Sequence, residues 1–208
     1  MTNLKLHRHP LSGHCHRVEL FLSLLDLPYE HVDVDLARAE QKSPAFVAKN
    51  PFAQIPVLDD GDVTLADSNA ILVYLARRYA ADAAWLPRDA VGEAAVQRWF
   101  SVAAGPLAAG PASARVAAVF GRSVDFEPLH AVAHQLFQRM DALLATRAFL
   151  VGDSPTLADV AMYAYTARAP EGGVSLAAYA NVRGWLARIE ALPRFIPMPA
   201  TKTSQLVA

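Results

Sequence analysis

Asp67-Ser68, an acid beside a hydroxyl, opens an apolar segment that reads as a helix from Asn69 to Tyr79. Asp and Ser both favour helix starts, where a side-chain oxygen accepts an otherwise unpaired backbone N–H. Ser12 lies in the turn Leu11-Ser12-Gly13 ahead of another helical segment and suits the same capping role. Cys15 follows one turn later, flanked by His14 and His16. Its position could support mixed-disulfide chemistry, but a lone helical cysteine is more often a small buried apolar residue. Ile55-Pro56 precedes an apolar strand, where an isolated proline reads as an ordinary trans turn residue. The 7 histidines show no repeated ligand spacing, so no metal site is expected.

The formal net charge of -1 over 208 residues argues against a polyanion partner, because nucleic-acid binding by charge neutralisation needs a basic excess. The 1 cysteine excludes an intramolecular disulfide framework and a CxxC pair, which points to a reducing compartment. The N-terminal stretch with His7, His9 and Pro10 is mostly polar, so no secretory signal is expected. Apolar content is 53%, but it is largely alanine spread over helical segments, with no run of about twenty apolar residues that would suggest a membrane span. The expectation is a soluble cytoplasmic protein with neither nucleic acid nor membrane as partner.

The elements that must position these side chains fall into two groups. In residues 1–80, Leu4 and Leu6 alternate with polar neighbours as a first strand, followed by a helix carrying Val18, Phe21, Leu22 and Leu25. Tyr29 to Val34 reads as a second strand and Ser43 to Lys49 as a short helix. Val57-Leu58 starts a third strand, Asp59 to Asp62 is expected to turn, and Val63 to Leu65 is a fourth strand before the Asp67-Ser68 helix. That order predicts a mixed four-stranded sheet covered by helices, since a parallel crossover needs a helix and the last two strands need only a tight turn.

From residue 88 to 208 only helical periods remain. Ala90 to Phe120 is interrupted at Gly105-Pro106 and Gly110-Pro111, which implies either a bend or two helices. Pro128 to Leu150, Thr156 to Ala169 and Tyr179 to Ile189 supply further helices, and the tail from Pro197 carries no packing pattern. The predicted fold class is an α+β first domain followed by an all-α second domain. Thr156-Leu157-Ala158-Asp159 has the form of a capping box, and Trp185 shares a helical face with Val182, Leu186 and Ile189, which marks it as core.

Four blocks, LKLHRHPLSGHCHRVEL, NPFAQIPVL, ADSNAILVYLARRY and SPTLADVAMYAY, resemble in content and order the cytosolic glutathione transferases over nearly the whole chain. The likeness is greatest to bacterial members of the serine/cysteine branch, theta-like or beta-like. It implies a thioredoxin-like first domain and glutathione as co-substrate. In the serine-using branch the residue matching Ser12 is the catalytic hydroxyl, which donates to the tripeptide sulfur rather than attacking. A free thiol has a pKa of about 8.5, which must fall for it to react near neutrality. Beta-like enzymes carry a functional cysteine in this turn, which keeps Cys15 in play, with His14 or His16 as alternative donors.

The family's matching proline is cis and presents the preceding backbone, here that of Ile55, to the cysteinyl part of glutathione, much as an added edge strand is recognised. Asp67 then faces the γ-glutamyl ammonium, while Ser68 and nearby N–H groups hold its carboxylate. Gln41 and Gln54 are expected near the glycyl end, although related classes often place histidine where Gln41 stands. Leu11, Trp99, Phe100, Ala103, Ala104 and Leu107 are expected as walls for an electrophile, with Arg98 and Arg115 as contacts to an acidic one. The resemblance also implies a homodimer, for which Phe52 is the candidate aromatic anchor. Conjugation to a small hydrophobic electrophile is the leading function; thiol or peroxide reduction through Cys15 and non-catalytic glutathione binding are the alternatives.

Overall fold

The computed structural model describes residues 4–80 and 84–201. The chain divides into two compact units, Met1–Ala83 with Pro193–Pro197, and Ala84–Leu192 with Met198–Ala208.

In the first unit the strands β1 (Leu4–Arg8), β2 (Tyr29–Asp33), β3 (Val57–Asp60) and β4 (Val63–Ala66) form one sheet in the order β2-β1-β3-β4. β1 runs parallel to β2 and antiparallel to β3, and β4 closes an antiparallel hairpin with β3. The hairpin turn is tighter than the Asp59–Asp62 turn expected, because Asp59 and Asp60 pair with Thr64 and Val63. Gly61, with φ 58, supplies the left-handed residue that so short a reversal needs. Helices α1 (Gly13–Leu24), α2 (Pro44–Lys49) and α3 (Ser68–Tyr79) complete the unit. Successive strand residues point to opposite faces, so Val57 packs with Val34 and Phe46 of α2, while its neighbour Leu58 pairs across to Leu6 on the other face.

α1 is buried nearly all round, with Val18, Leu20, Phe21 and Leu22 in the core. Its three buried polar side chains must therefore find partners inside the protein. Glu19 accepts from Arg8 at 3.0 Å, and His16 Nε2–H donates to the Ile196 carbonyl at 3.0 Å. Arg17 reaches α3, as described below. The segment Pro193–Pro197 thus belongs with the first unit, where Ser23 also donates to the Arg194 carbonyl.

The second unit contains α4 (Ala90–Val102), α5 (Ser113–Val119), α6 (Glu127–Leu144), α7 (Leu157–Ala167) and α8 (Ala180–Glu190). Of the two alternatives at the Gly-Pro steps, two helices are present, α4 and α5, but the chain between them stays helical. A π-helical stretch, Ala103–Ala112, joins α4 to α5 and contains both Pro106 and Pro111. Its wider hydrogen-bond spacing is the local irregularity by which a helix carries prolines that lack a donor. Gly110 lets that stretch meet α6, since a Cβ there would lie 2.8 Å from the Ala133 nitrogen. α6 ends at Leu144, short of the Leu150 expected.

The tail is also packed further than its sequence suggested: Met198 is buried, Arg168 donates to its carbonyl, and the Thr201 hydroxyl donates to Glu171 at 2.6 Å. Among the described residues no helix is long and apolar enough to cross a membrane.

Candidate active site

The turn before α1 sets the position of Ser12. Its N–H donates to the His9 carbonyl at 3.0 Å, and with φ -85 and ψ 118 it stands outside the helix as its N-cap. Ser12 Oγ accepts from the Cys15 N–H at 3.3 Å. A hydroxyl that accepts through a lone pair keeps its proton to donate, so capping and thiolate stabilisation are compatible roles. The first turn of α1 adds positive potential from its unpaired N–H groups.

Cys15 is 1% exposed. Burial pushes its thiol up to about 12, against weaker lowering by the Ser12 side chain and the His9 backbone. Such a thiol stays protonated at neutral pH and supplies no thiolate for disulfide exchange. His14 is pushed down to about 3, first by burial and then by Arg17, so it is neutral. Its Nδ1 lies 3.5 Å from Ser68 Oγ. His16 faces Ile196 and is no donor for this turn.

Ile55-Pro56 is cis. The loop ahead of it is organised by buried Asn50, whose Nδ2 donates to the Gln54 carbonyl at 2.7 Å and whose Oδ1 accepts from the Phe52 N–H at 3.1 Å. The Ile55 side chain packs against the Val34–Phe46–Val57 cluster, which leaves recognition at this position to the backbone. Gln54 is exposed, and Gln41 lies in the 3-10 turn Glu40–Lys42.

Asp67 caps α3 by accepting from the Asn69 and Ala70 N–H groups at 2.8 and 2.9 Å. It does so with φ 71 and ψ 124, a backbone conformation costly for a residue with a side chain, at about 1–3 kcal/mol. Its side chain is exposed, whereas Ser68 beside it is buried. An exposed carboxylate next to a buried hydroxyl at a helix N-terminus offers an ammonium and a carboxylate separate places.

The residue that ties these parts together was not expected. Arg17 Nη1 donates to Ser68 Oγ and to Asn69 Oδ1, both at 2.8 Å, joining α1 to the start of α3. The available signal was an arginine next to the apolar positions Val18, Leu20, Phe21 and Leu22 of α1, where a buried charge requires partners. Asn50 was also missed, since in the sequence it stands only as one residue of the NPFAQIPVL block.

The expected electrophile walls are mostly buried. Trp99, Phe100, Ala103 and Leu107 are core residues, and Trp99 Nε1 donates to the Leu150 carbonyl at 3.2 Å. Ala104 is exposed and Leu11 half-buried. Arg115 is fully buried and pairs with Glu171 at 2.8 Å, so it is a structural cation rather than a substrate contact. Arg98 is exposed, with its guanidinium carbon 5.9 Å from the Trp99 ring centroid. Phe52 is 82% exposed on its loop. Among the described residues no group of three or more His, Cys, Asp or Glu side chains could hold a metal.

A thioredoxin-like unit with a cis-proline loop and a capped α3, joined to an all-helical unit, defines the class. Residues 2–77 match the family model of the glutathione S-transferase N-terminal domain, and residues 129–193 match that of the C-terminal domain. The chain is 34% identical to glutathione S-transferase 3 of Zea mays, covering 98% of this chain and 99% of that one. Among solved structures, a glutathione S-transferase from Pseudomonas fluorescens has a TM-score of 0.89 at 33% identity, covering 95% of this chain and 99% of that one. A glutathione transferase homolog from Drosophila mojavensis with bound glutathione has a TM-score of 0.81 at 28% identity, covering 93% and 90%. The chain belongs to the glutathione S-transferase family and is a transferase.

Proposed function

We propose that this protein conjugates the thiolate of glutathione to a small hydrophobic electrophile, as a member of the serine-using branch. Glutathione lies along the Ile55 backbone, its γ-glutamyl ammonium at Asp67 and its carboxylate at Ser68, with Gln41 and Gln54 toward the glycyl end. The Ser12 hydroxyl donates a hydrogen bond to the sulfur and keeps its proton, and the first turn of α1 adds positive potential, so the bound thiol releases its proton to solvent near neutrality. The thiolate then forms a bond to the electrophilic carbon, which in an aryl halide breaks its carbon–halogen bond and releases halide with the bonding pair to solvent, while Ser12 remains unmodified.

The observation that carries this reading is the Ser12 cap, where Oγ accepts the Cys15 N–H and retains a proton to donate. The protonated, buried Cys15 favours conjugation over a reductase route through its own sulfur. Exposed Phe52 supports a homodimer anchored by that ring, because a large exposed aromatic gains most by entering a partner's pocket.

The test is Ser12→Ala, titrated with glutathione and assayed with an activated aryl halide. Glutathione affinity should hold while the bound thiol's pKa rises and turnover falls by about 10²–10³-fold, the scale for losing one donor to a developing anion. A wild-type thiolate pKa in the alanine protein would remove the hydroxyl from the mechanism. Sedimentation of Phe52→Ala beside the parent tests the dimer, which should dissociate at higher protein concentration when the ring is gone.

A further inference from the structure

We propose that Arg17 is the buried cation of the γ-glutamyl subsite, a positioning residue that turns the Ser68 hydroxyl proton toward the α-carboxylate of glutathione. This rests on the glutathione site of the preceding section and adds to it a residue from a different helix.

Arg17 is 2% exposed, and one of its terminal nitrogens donates to both Ser68 Oγ and Asn69 Oδ1 at 2.8 Å. A guanidinium has only donors, so Ser68 Oγ must act as acceptor in this contact. The hydroxyl proton is then left to point at an acceptor elsewhere. Among the described residues His14 Nδ1 is within reach, at 3.5 Å on the outer limit of a hydrogen bond. Neutral His14, depressed to about 3, can present that nitrogen without a proton.

A ligand carboxylate at the start of α3 offers a better acceptor than this long contact. The hydroxyl bridging it to Arg17 carries the cation's polarisation, since linked hydrogen bonds strengthen one another in a low-dielectric interior. Asn69 holds the other hydrogen of the same nitrogen and fixes the guanidinium's direction. Arg17 thereby acts on the carboxylate through Ser68. Asp67, exposed on the other side of the cap, is left to the ammonium.

The chemistry predicts dependence on one ligand group. Wild type and Arg17→Met are titrated by calorimetry with glutathione, with glutaryl-Cys-Gly, which lacks only the amine, and with 4-aminobutanoyl-Cys-Gly, which lacks only the α-carboxylate. Arg17→Met should weaken glutathione and the glutaryl analogue about tenfold and change the aminobutanoyl analogue by less than about twofold, as expected for one charge-assisted contact. In a Ser68→Ala background the same substitution should add no further loss.

Arg17→Lys keeps the buried charge without the fork that reaches two acceptors. It should recover part of the glutathione affinity, and it supplies the same three-ligand comparison if the methionine protein does not fold. Equal loss for all three ligands, or no loss for glutathione, would overturn the role of Arg17. Wild type that binds no glutathione would instead defeat the proposed function itself.

Discussion

Two of the carboxylates at helix N-termini in this protein, Asp159 in the capping box of α7 and Asp67 at the N-cap of α3, are used differently. At α7, Asp159 is 1% exposed and accepts from Leu150 N–H, Trp185 Nε1, Thr156 N–H and the Thr156 hydroxyl. Burial pushes this carboxyl up, and the four donors act against that rise. At α3, Asp67 is exposed, stands at φ 71, and caps Asn69 and Ala70 through one oxygen. A buried carboxylate surrounded by protein donors holds the structure together, whereas an exposed one on a strained backbone remains open to a ligand.

The largest expected effect follows from breaking the saturated cap. Asp159→Ala leaves several buried donors without a partner and should cost roughly 3 kcal/mol or more in unfolding free energy. Urea unfolding reads this directly, while glutathione affinity per folded molecule should stay at the parent value. Next in size is a paired comparison of two hydroxyl caps. Thr156→Ala should lower stability by about 1 kcal/mol with unchanged turnover per folded molecule, whereas Ser12→Ala, with a similar loss of stability, should also lose turnover.

Asp67→Gly sharpens the contrast at the exposed cap. Glycine adopts positive φ without the steric cost and loses only a few tenths of a kcal/mol as a cap, so unfolding should move by less than about 1 kcal/mol. Glutathione affinity should nevertheless fall about tenfold as the charge partner of the ammonium disappears. Thermal melts and calorimetry on the same protein separate the two effects, and a large destabilisation with intact binding would make Asp67 a structural residue like Asp159.

The smallest effect tests a saturated carboxylate within the first unit. Asp59 accepts from Lys49, Thr64 and His7 at 2.7, 2.7 and 2.8 Å. Burial acts to raise its pKa, but these hydrogen bonds outweigh it and bring the carboxyl from 3.8 to about 2. Its stabilisation is therefore complete above the unfolded value and lost as pH falls from 3.8 toward about 2. In acid titrations followed by circular dichroism, Asp59→Asn should be less stable near neutrality and lose less stability than the parent across that window.

Much of this architecture was legible because its signals are local. Strand alternation, the Ser43 and Thr156 caps and the helical face holding Val182, Trp185, Leu186 and Ile189 are each specified within a few residues. The Asp67-Ser68 cap and the Ser12 turn were visible for the same reason, and the family resemblance implied the cis Ile55-Pro56 bond that the fold contains. The π-helical stretch was not legible, since a Gly-Pro step reads locally as an interruption, while the close approach of Gly110 to α6 is a tertiary contact. The burial of Trp99, Phe100, Ala103 and Leu107 was not legible, because a helical period shows which residues share a face but not what covers it.

By itself, then, the sequence determined most of the elements, several of their caps, the division into a mixed unit and a helical one, and the places of Ser12, Asp67 and Ser68 at helix starts. Tertiary structure decided which of those groups meet. Arg17 lies 51 residues from Ser68, and His16 lies 180 from Ile196, separations over which no local period carries information. Such partners are chosen by the cost of leaving a buried charge or ring nitrogen without a hydrogen bond, a cost that exists only once the sheet and α1 have enclosed them.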